Sequence, residues 1–262
     1  MKNLSRIFPH FSSRTRRSKS LHDIWYAWIY MIKSTPKLYF PLVYLLNRSR
    51  YDKLCNKNTL YTIESYPSSG SSFFYNYFRG LLCFLENGVF LLSLKEEEKF
   101  ISHHSHSVAN IKKSIKNKSM IFVIIRNPLD SISSRVVRFG TNMNRAIYEY
   151  RSYYEFLNNN VGELYIVKFK YLRDDLPKMT NNILDILDKI KKHYIDDNTI
   201  KKFEKITKDY IITWNNKHGN KDTISLPLDI REKKKDEIKR QLIKIDAFSD
   251  CIKLFKSISN KN

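Results

Sequence analysis

Acidic residues are the first shortage, with 26 Asp and Glu against 47 Lys and Arg and a net charge of +21. Glycine is scarce, six in 262 residues, and alanine scarcer. The three cysteines, Cys55, Cys83 and Cys251, are odd in number, widely spaced and without a Cys-x-x-Cys pair. That argues against a disulfide framework or a zinc site and fits a reducing compartment. No Gly-Lys-[Ser/Thr] closes a glycine-rich loop, and no Mg²⁺-holding pattern is evident, which disfavours a Walker-type kinase. No internal repeat is visible. An uninterrupted apolar run of about 20 residues, the length that spans a bilayer, is also missing. Ile24–Ile32 (IWYAWIYMI) and Tyr39–Leu46 (YFPLVYLL) come nearest, but Lys33, Pro36, Lys37 and Pro41 interrupt them. Two short aromatic helices are expected there, packed on the domain or lying at a membrane surface. A spanning anchor is the alternative, because a basic flank precedes 23 mostly apolar positions. The expected location is cytoplasmic, with a Golgi or other membrane-associated site following from the anchor.

What is present is a chain that is 42% hydrophobic, enough for one sizeable core. The +21 charge has two readings. It suits an anionic partner such as a nucleotide, an acidic glycan, a membrane surface or RNA. It also suits a Lys-, Asn-, Ile-, Tyr- and Phe-rich composition of the kind an AT-rich genome produces, which accounts for most of the lysines without selection. Met1–Ser20 has no acidic residue and reads as a basic arm. A transit peptide is the alternative, although no cleavage pattern follows. Residues 1–57 group as this arm, the apolar aromatic helices and a polar linker (Arg48–Asn58), and residues 58–262 as the main domain.

Leu60–Gly80, LYTIESYPSSGSSFFYNYFRG, is the most informative stretch. Leu60–Tyr66 alternates like a strand, Pro67 ends it, and Ser68-Ser69-Gly70-Ser71-Ser72 is a small hydroxyl-rich turn. From Phe73 to Leu82 the aromatic spacing is helical. A strand, a Gly/Ser turn and a helix gather backbone N–H groups and the positive helix end at one point, which suits a phosphate. An ordinary strand-to-helix turn rich in serine is the competing reading.

Met120–Ile125 (MIFVII) has the near-continuous apolarity of a strand buried on both faces of a parallel sheet. Arg126-Asn127-Pro128-Leu129-Asp130 follows, then the helical SISSRVVRF. Asn127 is an N-cap, Pro128 suits the first helical position and Asp130 lies near the third. Arg126 therefore belongs at the carboxyl end of a central strand, the edge where open α/β sheets bind ligands. Ser134 lies one turn beyond Asp130 on the same face.

Together YPSSGSSFF and RNPLDSISS resemble the two nucleotide-binding signatures of the sulfotransferases that use 3′-phosphoadenylyl sulfate (PAPS). The family patterns read roughly Y-P-[KR]-S-G-[TN]-T-W and R-N-P-x-D-x-x-x-S, and Arg126 through Ser134 fits the second at every defined position. Ser102-His103-His104-Ser105 looks like the family's [ST]-H segment, which carries the catalytic histidine. Residues 166–172 (IVKFKYL) resemble its "lkYEDL" strand, and Lys217-His218-Gly219 its C-terminal R-K-G. The resemblance runs from about Asn58 to the C-terminus. Branches that begin the loop with a small residue, such as the WSC-domain-containing sulfotransferases, look closest.

The rest of the chain supplies alternating elements. Val89–Leu94 is a strand or core segment, and Lys95–Glu98 a charged turn. Val108–Lys118 is a basic helix. Asn144–Leu157 is a helix with Ile147, Tyr148, Tyr154 and Leu157 towards the core, its tyrosines serving packing. A strand at Glu163–Lys168 and helices at Lys178–Ile190 and Asn198–Asp209 follow. Trp214–Asp222 reads as a polar loop and Arg231–Phe255 as one long helix. Strand–helix alternation implies a parallel sheet flanked by helices. The resemblance sharpens this α/β expectation to a P-loop-NTPase-like three-layer fold.

What the resemblance implies is sulfuryl transfer from PAPS to a hydroxyl or amine acceptor by in-line displacement, with PAPS the co-substrate and no metal. Amides of Ser69, Gly70, Ser71 and Ser72, with the Ser71 and Ser72 hydroxyls, would hold the 5′-phosphosulfate. Arg126, Ser134 and Lys217, with the neighbouring His218 and Gly219, would hold the 3′-phosphate. Phe73 would pack on the adenine. His103 is the general base implied, with His104 one shift away. His103, His104 and His106 in one loop, with no partner at a distance, are a poor tetrahedral metal set. Three departures stand out: Ser68 where the loop has Lys or Arg to support the leaving phosphate, Ile101 before the [ST]-H pair, and K-H-G for R-K-G. From them comes the alternative, a catalytically weak or inactive protein of this fold that binds polyanions. A carbohydrate acceptor is preferred by analogy, peripheral membrane contact through residues 24–46 is open, and no specific nucleic acid is expected.

Overall fold

Strand order is what places a ligand site in this molecule. The computed structural model describes residues 19–90, 92, 100–103, 105–187, 195–218 and 229–261, with residues 19–24, 214–218 and 229–231 described through the backbone only. The elements are α1 (Lys19–Ser34), α2 (Pro36–Leu46), α3 (Arg48–Tyr51), β1 (Tyr61–Ser65), α4 (Ser71–Asn87), β2 (Ile101–His103), α5 (Val108–Lys116), β3 (Met120–Ile125), α6 (Pro128–Phe139) and α7 (Met143–Asn159). A 3₁₀ turn (Val161–Glu163), β4 (Tyr165–Lys168), α8 (Phe169–Asp174), α9 (Leu176–Leu187), α10 (Asp197–His218), α11 (Asp229–Leu242) and α12 (Asp246–Asn260) complete the described elements. It is an α/β protein with a four-stranded, all-parallel sheet of order β2-β1-β3-β4. Tyr61 aligns with Ile101 and Met120, and Phe122 with Tyr165. All four carboxyl ends therefore lie at one edge.

The two inner strands are buried on both faces, as their apolar composition dictates. Ile63, Phe122 and Ile124 face one core with Phe74, Phe78 and Leu81 of α4 and Met179 and Ile183 of α9. Phe74, Phe78 and Phe122 form ring pairs there, 4.9–5.9 Å between centroids. Such pairs add about 0.5–1.5 kcal/mol each beyond the area they bury. Ile121, Val123 and Ile125 face a second core with Ile132 of α6, Tyr150 and Tyr154 of α7, Leu242 of α11, and Phe248 and Ile258 of α12. A smaller cluster joins Tyr39, Phe40 and Val43 of α2 to Leu54 and Ala109. The Tyr30 hydroxyl of α1 donates to the Ser152 carbonyl of α7 at 2.6 Å. The two N-terminal helices thus pack on the sheet-bearing body. They also leave Trp28, Met31, Leu38, Tyr44 and Leu45 exposed. Among the described residues, no helix is long and apolar enough to cross a membrane.

Several elements differ from their expected bounds. The expected loop from Trp214 is helical to His218, because α10 meets no glycine or proline before Gly219. The expected Arg231–Phe255 helix is two helices, α11 and α12, separated at residues 243–245. Leu242 and Phe248, on either side of the break, both reach the second core. β4 begins at Tyr165, since residues 161–163 form the 3₁₀ turn, and the expected linker contains α3. Residues 1–18, 95–98, 188–190, His104 and Gly219, with Leu91, Ser93 and Leu94 of the expected strand, lie outside the described residues. Phe90 and Leu92 of that segment are core residues.

Candidate functional site

At the carboxyl edge, β1 leads through Tyr66-Pro67-Ser68-Ser69-Gly70 into α4. Ser68 (φ 69°) and Gly70 (φ 84°) are both left-handed. Gly70 meets two demands, because a Cβ there would also lie 2.8 Å from the Phe169 ring. The first intrahelical bond of α4 runs from the Phe74 amide to the Gly70 carbonyl, 3.1 Å. The amides just before it are directed out of the helix end, where the macrodipole is positive. Ser69 is buried, its hydroxyl 3.4 Å from that of Ser131 on α6.

Arg126 follows β3 and closes the other side of the crevice. Its Nη1 donates to the Ser68 carbonyl at 2.7 Å, and its guanidinium lies 4.3 Å from the Phe169 ring centre. The two motif segments therefore touch. The backbone of Arg126 is itself fixed, its carbonyl accepting from the hydroxyls of Tyr150 (2.8 Å) and Tyr154 (3.1 Å). The Arg126 amide also donates to the Tyr154 oxygen at 2.9 Å. Burial pulls the arginine pKa down, and Asp130 opposes that. Asn127 caps α6 as expected, accepting from the Leu129 amide at 2.8 Å, and Asp130 pairs with Lys239 of α11 at 3.0 Å.

Polar atoms without partners gather at this edge. The Ser65 and Ser68 hydroxyls, Arg126 Nε and Glu64 Oε2 are all buried without a hydrogen-bond partner among the described residues. Burying such atoms unpaired costs roughly 1–3 kcal/mol each, and where the Ser68 and Arg126 segments touch they mark a place suited to a polar ligand. Glu64 lies wholly inside. Its Oε1 accepts from Asn110 Nδ2 (2.8 Å) and from the Ser105 hydroxyl. Burial raises its pKa to about 7, against the lowering effect of those bonds, the His106 amide and Arg50.

His103 and His106 occupy different places. His103 aligns with Ile63, two residues before β1 ends, and its ring stacks on Tyr75 of α4 at 3.7 Å. His106 adopts φ 48°, and its Nδ1 lies 2.8 Å from the Ser65 carbonyl at the end of β1. A carbonyl only accepts, so Nδ1 carries the hydrogen and the neutral ring keeps its lone pair on Nε2. No sequence pattern singles out His106 from its neighbours, because a left-handed backbone leaves no periodic signal.

The other motif residues are distributed as follows. Ser71 is buried and Ser72 half-buried at the start of α4. Ser134 is buried on α6, one turn beyond Ser131, another residue that no motif points to. Phe73 packs partly into the first core, its ring parallel to Tyr77 at 6.1 Å. Lys217 and His218 end α10, with their side chains outside the described atoms. No group of three or more His, Cys, Asp or Glu suited to a metal exists among the described residues. Compared with known proteins, the chain matches no family model, no curated protein and no solved structure.

Proposed function

We propose that this chain is a PAPS-dependent sulfotransferase of P-loop-NTPase-like three-layer fold. The observation that carries the reading is the junction of β1 and β3. The connection after β1 leads to β2 on one side, and the chain after β3 leads to β4 on the other. Ligands of open α/β sheets bind at the carboxyl side of such a switch point. Here the serine-rich turn and Arg126 meet at that point, with the Ser65, Ser68 and Arg126 donors left over around it.

On this reading the amides of residues 69–72 and the Ser71 and Ser72 hydroxyls bind the 5′-phosphosulfate, and the helix end favours its charge. Arg126 and Ser134 bind the 3′-phosphate, with Lys217 and the adjoining His218-Gly219 contributing from the end of α10. The acceptor oxygen forms a bond to sulfur as the bond from sulfur to the phosphate oxygen breaks. A histidine at the end of β2 or in the segment that follows it takes the acceptor's proton. His103 is the choice from motif position; the Nδ1 bond to Ser65 favours His106. Rate comes from positioning and from charge stabilisation at the leaving phosphate. A carbohydrate hydroxyl is the acceptor class we favour, and the exposed aromatics of α1 and α2 fit a peripheral membrane contact.

One observation favours a second reading. The loop itself contributes no cation, and Arg126 is already engaged by the Ser68 carbonyl. A weak or inactive enzyme retained as a polyanion binder has that description. Calorimetric titration with 3′-phosphoadenosine 5′-phosphate (PAP), with ADP as control, separates the two. Selective PAP binding that Arg126→Ala removes supports the enzyme. No binding, or equal weak binding of both nucleotides, rejects the nucleotide site and leaves the polyanion binder.

A further inference from the structure

A second concentration of charge lies beside Tyr66, between α1, α6 and α7. Glu149 of α7 accepts from Arg135 Nη2 of α6 through Oε2 and from Arg145 Nε through Oε1, 2.9 Å in the second case. Both oxygens are committed. Lys33, at the end of α1, is within electrostatic reach of Glu149, and the other charges acting on it are the cations Arg135, Arg145 and Arg50. Burial, with that excess of cations, lowers the Lys33 pKa to about 8. Against the upward pull of burial, Lys33, Arg135 and Arg145 hold Glu149 down to about 2.

Arg135 shows the imbalance most clearly. It is 1% exposed, and its Nε and Nη1 have no partner among the described residues. Its guanidinium lies 5.6 Å from the Tyr66 ring centre, a contact that supplies no hydrogen-bond acceptor. Arg50 Nε is likewise buried and unpaired among them, while its Nη2 donates to the Ser105 carbonyl at 2.6 Å. A buried guanidinium with two idle nitrogens is a costly arrangement unless an acceptor arrives from outside. The acceptor that satisfies this geometry has negative charge and several oxygens.

We propose that an oxyanion, either a carboxylate or a sulfate or phosphate ester carried by a ligand, is bound between α1, α6 and α7 by Lys33, Arg135 and Arg145. The site adjoins the β2–α5 segment, because the Ser107 hydroxyl donates to the Lys33 carbonyl at 2.7 Å. If the sulfotransferase reading holds, this site selects an acidic acceptor and holds it near His106. The anion site does not depend on that reading, and a separate PAP titration reports on the nucleotide.

The test is thermal unfolding of the full chain in increasing inorganic sulfate, at ionic strength held constant with chloride. The wild type is expected to gain several degrees, saturably. Lys33→Met is expected to raise Tm in chloride alone, by relieving repulsion, and to weaken sulfate at least tenfold. Arg145→Gln, a more exposed position, is expected to weaken it similarly and decides the matter if Lys33→Met does not fold. Sulfate binding that both variants retain, or a wild type that responds equally to chloride, overturns the proposal. Glucuronate and glucose 6-sulfate then distinguish a carboxylate from a sulfate ester. Stabilisation by either that Lys33→Met abolishes supports the site; silence of both alongside silent inorganic sulfate overturns it.

Discussion

Replacing Glu64 with glutamine should change how stability depends on pH. The carboxyl is fully buried, and its pKa rises from 4.5 to about 7 on folding. Because the folded value is higher, the protonated form is the one folding favours. Below pH 4.5 both states carry the proton, and between 4.5 and 7 the unfolded chain ionises while the native one does not. Stability therefore falls as pH rises through that window and levels off above it. Integrating between about pH 5 and pH 8 gives a loss of roughly 2.5 kcal/mol from this group alone. Glutamine keeps an Oε1 to accept from Asn110 and Ser105 and has no proton to lose. Urea denaturation of both proteins at several pH values isolates the effect, because every other titrating group cancels in the difference. Glu64→Gln should gain on the wild type by about 1 M in midpoint between roughly pH 5 and pH 8. A difference that stays flat over that range would refute the argument that burial dominates at Glu64.

Gly70→Ala should cost about 2 kcal/mol or more in urea denaturation, from the left-handed backbone and the Phe169 ring together. Pairing it with Phe169→Leu should recover the steric part alone, so full recovery would contradict the backbone strain. Glu149→Gln leaves Arg135 buried opposite a neutral amide and should destabilise by about 3 kcal/mol near neutrality. Because the Glu149 pKa is depressed from 4.5 to about 2, its contribution is present above pH 4.5 and is lost as pH falls towards 2, so the variant and wild type should converge in acid. Arg126→Ala should abolish selective PAP binding in calorimetry; retained affinity would detach the nucleotide from the β1–β3 crevice.

The parts of the fold legible in the sequence are those written in local chemistry. Met120–Ile125 is a strand over the expected residues because an apolar run between Ser119 and Arg126 has little alternative. Asn127 and Pro128 fix the start of α6 by cap and ring. What the sequence does not disclose depends on distant residues or on backbone state. The bend between α11 and α12 has no glycine or proline to announce it; it follows from packing against α6 and α7. His106 is hidden because a left-handed histidine looks like its neighbours in a polar string. Lys33 reads as an interruption in an apolar segment, and nothing local ties it to Glu149, which lies in another helix. Arg126 stands out by its position after a strand, but its bond to the Ser68 carbonyl is visible only in the folded chain.

The sheet's outermost strands are short, three residues in β2 and four in β4. On the β2 side, the outward amide of His103 donates to the Lys53 carbonyl at 3.1 Å, so the segment before β1 already occupies that margin. A strand from another chain would find one side closed by its own polypeptide and the other only a few residues long, too little for a stable addition. A molecule rich in aromatic residues thereby offers little edge for pairing through these strands.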